Sequence, residues 1–209
     1  MKFYLSSYKI GNQSDKLIEM AKNGNKKVAY ISNALDFSTD SERRIKSEQA
    51  DIDDLVNLEF IVEKFDLRDY FDNKENLEKD ISKYDIIWVR GGNTFVLRQA
   101  MKLSGFDKLL KNLSKNKNNI IYGGYSAGIC VLSPNLKGLE FVDDVNQFPY
   151  SQQKKAVFEG LGILNYAIVP HYKSKNHSET DDVDKVVDYY IKNKVLFKAL
   201  TDEEVIIIE

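Results

Sequence analysis

IIYGGYSAGICVLSP, residues 120–134, is the stretch from which the rest of the chain is read. Its apolar start reads as a buried strand, and its paired glycines as the end of that strand. A helix is expected to open near Ser126. Gly124-Tyr125-Ser126-Ala127-Gly128 matches G-x-S-x-G in the strand-to-helix context that the motif requires. Such a turn crowds the backbone, and residues without a Cβ relieve the crowding. The turn would hold the Ser126 hydroxyl clear of the sheet. The N–H of Ala127 would then point where an oxyanion forms. The competing reading is a glycine-rich turn with a serine capping a helix.

Outward from this stretch, short apolar runs alternate with amphipathic ones. Strands are expected at 2–8, 27–34, 60–67, 85–92, 119–126, 166–172 and 205–209. Helices are expected after Ser14 as N-cap, over 40–57, 75–84 and 181–194, and from Thr94 onward with a break near Gly105. Residues 133–160 read as irregular or as short hairpins. Strands alternating with helices indicate α/β architecture with a mostly parallel central sheet. Strands as apolar as DIIWV suit a sheet covered on both faces. Without a repeat, linker or low-complexity tract, residues 1–209 read as one domain.

The totals exclude several functions. Thirty basic residues stand against 32 acidic ones, with a net charge of -2, so nothing favours nucleic acid or a membrane surface. No apolar run approaches the roughly 20 residues of a membrane span. The N-terminal residues lack the apolar region of a secretion signal, so a cytoplasmic protein is expected. The single cysteine, Cys130, lies in an apolar run and reads as a core residue. Two histidines and one cysteine, without ligand spacing, point to no metal site, and no cofactor is expected.

In a parallel sheet, sites form at the carboxyl ends of strands. Three segments stand there: RGGNTF (90–95), GGYSAG (123–128) and VPHY (169–172). A serine nucleophile needs a base. His171 follows a strand, whereas His177 sits in a polar loop, so His171 is the better candidate. Arg90-Gly91-Gly92-Asn93-Thr94 offers backbone N–H groups at a second glycine turn, but lacks the lysine of a P-loop.

Together, GGNTFVLRQAMK, GGYSAGICVLSPNL and IVPHY, in this order, resemble peptidase family S51, the family of dipeptidase E and cyanophycinase. The resemblance implies an α/β fold similar to class I glutamine amidotransferases, with a serine replacing the cysteine nucleophile. It implies Ser126 as nucleophile, His171 as base, and the N–H groups of Gly92 and Ala127 as the oxyanion hole. The family's third member is an acid about fifteen positions beyond the serine, which falls on Glu140, with Asp143 and Asp144 close by. The expected activity is hydrolysis of short peptides by a monomer or homodimer. An esterase or amidase on a small acyl substrate, and a binding protein of the same fold, are the rivals. Strict preference for an N-terminal aspartate is not expected. Asp181 and Asp182 stand where the resemblance calls for a cation, and Lys173 and Lys175 are the nearest replacements.

Overall fold

The computed structural model describes residues 1–174 and 180–209. Six strands form the main sheet: β1 (Lys2–Ser6), β2 (Lys27–Ile31), β3 (Ile61–Lys64), β4 (Ile86–Val89), β5 (Ile121–Tyr125) and β8 (Val205–Ile208). Their order is β3-β2-β4-β5-β1-β8. All neighbours pair in parallel except β8, which runs antiparallel to β1 at one edge. The remaining strands, β6 (Ala167–Val169) and β7 (Phe197–Ala199), form a separate parallel pair.

The period of two in the central strands explains the layering. Tyr4, Val28, Tyr30, Ile86 and Trp88 pack with Leu17 and Met20 of α1 (Ser14–Ala21) and Leu55 of α2 (Ser41–Val56). Their alternates Leu5, Ala29, Ile31, Ile87 and Val89 face the other way. There they meet Leu77 and Ile81 of α3 (Leu77–Ile81), Val96 and Leu97 of α4 (Thr94–Ser104), Leu110 of α5 (Phe106–Lys115) and Ile129 of α6 (Ala127–Cys130). Beyond α6, Cys130 and Leu139 join Val169 of β6 and Val183, Val186 and Tyr190 of α7 (Thr180–Lys192) in a third cluster. This is the α/β architecture with a mostly parallel sheet that the alternation of elements indicates.

Besides shorter bounds, such as Ile61–Lys64 for 60–67 and Ala167–Val169 for 166–172, two local readings differ from the structure. Ser14 is the first residue of α1 rather than its cap, and the capping position, Gln13, makes no side-chain cap bond. Strand β7 was not expected; its three residues include the charged Lys198, so it carries too little apolar signal to stand out.

The turn from β5 into α6 is pressed against β4. A Cβ on Gly124 or Gly128 would lie 2.1 or 2.0 Å from the carbonyl oxygen of Val89. Both glycines of G-x-S-x-G are therefore demanded by one backbone atom of the neighbouring strand. Gly128→Ala should cost at least about 1–3 kcal/mol of overpacking. Urea unfolding measures this, and a variant as stable as the parent would contradict the close approach.

Candidate active site

The carboxyl ends of β4, β5, β1 and β6 converge on a cavity of about 690 Å³. Its wall includes Gly91, Gly92, Asn93, Ser126, Tyr8 and His171. Ser126 adopts φ 50° and ψ -119°, a conformation that costs a non-glycine residue on the order of 1–3 kcal/mol. The Ser126 N–H donates to Ser7 O at 3.2 Å, and its carbonyl accepts from Ile129 and Cys130 N–H, both at 3.0 Å. Held this way, the residue leaves the sheet with its side chain in the cavity wall.

His171 is buried and also strained, with φ 62°. Its Nδ1 lies 2.6 Å from Asp202 Oδ1. An imidazole carrying its proton on Nδ1 donates it to that carboxylate and presents Nε2 as an acceptor. Asp202 reaches His171 because β6 and β7 run in parallel. Val169 pairs with Ala199, Leu200 N–H donates to Val169 O and Tyr172 N–H to Leu200 O, both at 2.9 Å. Asp202 N–H is fixed in turn by Ser174 Oγ at 2.9 Å.

Ser7, directly after β1, ties these segments together. Its hydroxyl accepts the His171 N–H at 2.9 Å and donates to Leu200 O at 3.3 Å, while its carbonyl takes the Ser126 N–H. Neither Ser7 nor Asp202 was singled out by sequence reasoning. The sequence signal for Asp202 is faint: it stands in TDEE, just past VLFKAL, a stretch whose apolar run is broken by Lys198.

Among the described residues, the N–H groups of Gly92 and Ala127 make no hydrogen bond; Gly92 lines the cavity and Ala127 directly follows Ser126. Two donors without internal acceptors beside one hydroxyl suit a developing oxyanion.

Glu140, the acid that the resemblance implies, is not the carboxylate bonded to His171 Nδ1. Glu140 is exposed on a single 3-10 turn, Leu139–Phe141, where its carboxylate accepts the N–H of Gly138. It does not line the cavity, and the imidazole's carboxylate partner is Asp202. The local cause is the turn itself, which spends Glu140 on the backbone two residues earlier. Asp143 does line the cavity, but its Oδ2 caps α4 by accepting the Thr94 N–H at 2.9 Å. Asp144, also at the cavity, accepts from Asn146 N–H and Gln147 Nε2 in its own loop.

One side of the cavity is apolar, built from Leu139, Val142, Val169, Val183 and Val186 with Cys130. Burial pushes the Cys130 thiol well above its ordinary range, so it is no nucleophile at neutral pH. The other side carries Lys9, Arg43 and Arg90. Lys9 is paired with Asp54 at 2.7 Å and Arg90 with Asp51 at 3.1 Å. Arg43 has no carboxylate partner among the described residues. Of the specificity residues considered from the sequence, Lys173, Asp181 and Asp182 do not line the cavity: Lys173 stacks over Tyr172, and Asp182 pairs with Lys185. Lys175 and His177 lie outside the described residues. Among those described, no three His, Cys, Asp or Glu side chains are grouped to hold a metal ion.

Comparison with known proteins bears on the family and the fold. The model of peptidase family S51 matches residues 6–209. An uncharacterized peptidase of Listeria monocytogenes is 29% identical over 158 residues, covering 73% of this chain and 70% of the relative. An uncharacterized peptidase of Pasteurella multocida is 30% identical over 111 residues, covering 53% of this chain and 49% of the relative. A crystal structure of a Listeria monocytogenes protein, described as a candidate peptidase E, superposes with a TM-score of 0.70 at 24% identity, covering 100% of this chain and 98% of that one. A peptidase from an acI-B1 actinobacterium shares the fold at a TM-score of 0.60 and 17% identity, over 100% of this chain and 83% of that one. The family match spans nearly the whole chain and takes in the serine turn, the histidine loop and the glycine turn. The chain belongs to peptidase family S51 and is a serine-type peptidase.

Proposed function

We propose that the chain folds as one domain that hydrolyses short peptides through Ser126, His171 and Asp202. The observation that supports this reading is that His171, bonded through Nδ1 to Asp202, lines the same cavity as a strained Ser126. His171 Nε2 takes the Ser126 proton as Oγ attacks the scissile carbonyl. Asp202 holds the imidazole in the required tautomer and balances its charge once protonated. The Gly92 and Ala127 N–H groups receive the oxyanion. The imidazolium then gives its proton to the leaving amine. A water, deprotonated by the same imidazole, releases the acyl group from Ser126.

This assignment moves the triad acid from Glu140 to Asp202 and keeps the chemistry. Ser126→Ala should lower kcat by about 10³-fold or more, and Asp202→Asn by about 10²–10⁴-fold. Glu140→Gln, which lies away from the imidazole, should stay within about twofold of the parent, as expected for an exposed substitution. Steady-state kinetics on a dipeptide checks all three. A large loss in Glu140→Gln with little in Asp202→Asn would return the acid to its expected place.

The cavity lining supports an apolar substrate side chain over an acidic one. Its apolar side is continuous, and two of its three cations are already neutralised by aspartates. Burying a carboxylate against the apolar side would leave a charge unpaired. Leu-Leu and Ala-Leu should therefore exceed Asp-Leu in kcat/KM by about tenfold or more, as one unpaired buried charge is worth at least that much. A preference for Asp-Leu would contradict this and implicate Arg43.

A further inference from the structure

Beside the nucleophile, in the wall of the same cavity, lies a buried polar cluster with no part in the proton transfers above. Asp51 comes from α2, Arg90 follows β4, and Tyr125 ends β5. The Tyr125 hydroxyl donates to Asp51 Oδ2 at 2.7 Å and accepts from Arg90 Nη2 at 2.9 Å. Arg90 Nε stands 3.1 Å from the same Oδ2, and Nη2 also donates to Ser47 Oγ at 3.0 Å. Tyr30 of β2 adds a third contact to Oδ2 at 2.9 Å. The Arg90 guanidinium lies 5.9 Å over the Tyr125 ring.

Stability alone is a poor explanation for this cluster. Arg90 is 6% exposed, yet its Nη1 is buried with no hydrogen-bond partner. A buried ion pair is weak evidence for stability, and an unpaired buried donor costs it. The location suggests another use. Tyr125 is covalently next to Ser126, and Arg90 leads directly into Gly91 and Gly92. The β4–β5 ladder stops with Val89 opposite Gly124, and the Arg90 N–H turns away to Ile31 O of β2. Past that point the two loops touch: a Cβ on Gly91 would lie 2.8 Å from Ser126 Cβ. The Arg90–Tyr125 hydrogen bonds, with Asp51 bonded to both side chains, join the two strand ends beyond the ladder.

We propose that Arg90, Asp51 and Tyr125 form a clamp that sets the spacing between Ser126 Oγ and the Gly92 N–H, making them positioning residues for acylation. The proposal rests on Ser126 being the nucleophile. A misplaced oxyanion donor slows bond formation and leaves ground-state binding intact.

The test is the rate of labelling by a fluorophosphonate, together with kcat, KM and melting temperature. Tyr125→Phe removes the hydroxyl and keeps the ring, which packs edge-on against Tyr8. Labelling rate and kcat should both fall about tenfold or more, with KM within about twofold. Asp51→Asn and Arg90→Lys should fall in the same way, and the Tyr125→Phe/Asp51→Asn pair should be far less than additive, since both break one unit. If Tyr125→Phe unfolds, the other two single variants carry the test. Parent-like labelling in the folded variants, or a loss confined to KM, overturns the clamp. A parent protein that does not label at Ser126 overturns the nucleophile assignment as well, a result distinguishable because the parent itself fails.

Discussion

Ser7 holds three chain segments of the site at fixed distances, and the geometry of the site follows from it. Its carbonyl anchors the Ser126 backbone, while its hydroxyl anchors the His171 backbone and reaches the Leu200 carbonyl just before Asp202. It is fully buried, so these bonds compete with no water. Ser7 can do this because β1 lies beside β5 in the sheet, with Ser6 opposite Tyr125. The β6–β7 pair is not part of that sheet, and Ser7 is where its loops are bonded to the sheet's carboxyl edge.

Strain and packing converge at the same edge. Ser126 and His171 both hold positive φ values that a side chain disfavours. Each has its backbone N–H held by Ser7, that of Ser126 by the carbonyl and that of His171 by the hydroxyl. Gly124 and Gly128 meet the Val89 carbonyl, which leaves the turn no room to relax. The site is thus built by contacts between adjacent strand ends, and its reacting groups are spared from structural duties. The Gly92 and Ala127 N–H groups, unused in hydrogen bonds among the described residues, are the clearest example.

What was legible in the sequence follows from the range of each constraint. The serine turn was legible because its glycines and its context lie within a few residues of one another. His171 was legible as a residue just past an apolar strand. Asp202 was not, because it arrives through the pairing of two three-residue strands far apart in sequence, one of them with a lysine at its centre. The spacing carried over from the family resemblance pointed instead to Glu140, which a local turn occupies with the Gly138 N–H. The Asp51–Arg90–Tyr125 cluster was equally hidden. Arg90 and Tyr125 were both in view as members of glycine turns, but nothing local announces that a helix residue 39 positions before Arg90 joins them.

The most direct test is a crystal structure of the protein after reaction with a fluorophosphonate. The account predicts a phosphorus bonded to Ser126 Oγ, with one phosphonyl oxygen within hydrogen-bonding distance of both the Gly92 and Ala127 N–H groups. It also predicts His171 still paired through Nδ1 with Asp202. An adduct on any other residue, or a phosphonyl oxygen directed away from those two N–H groups, would contradict it.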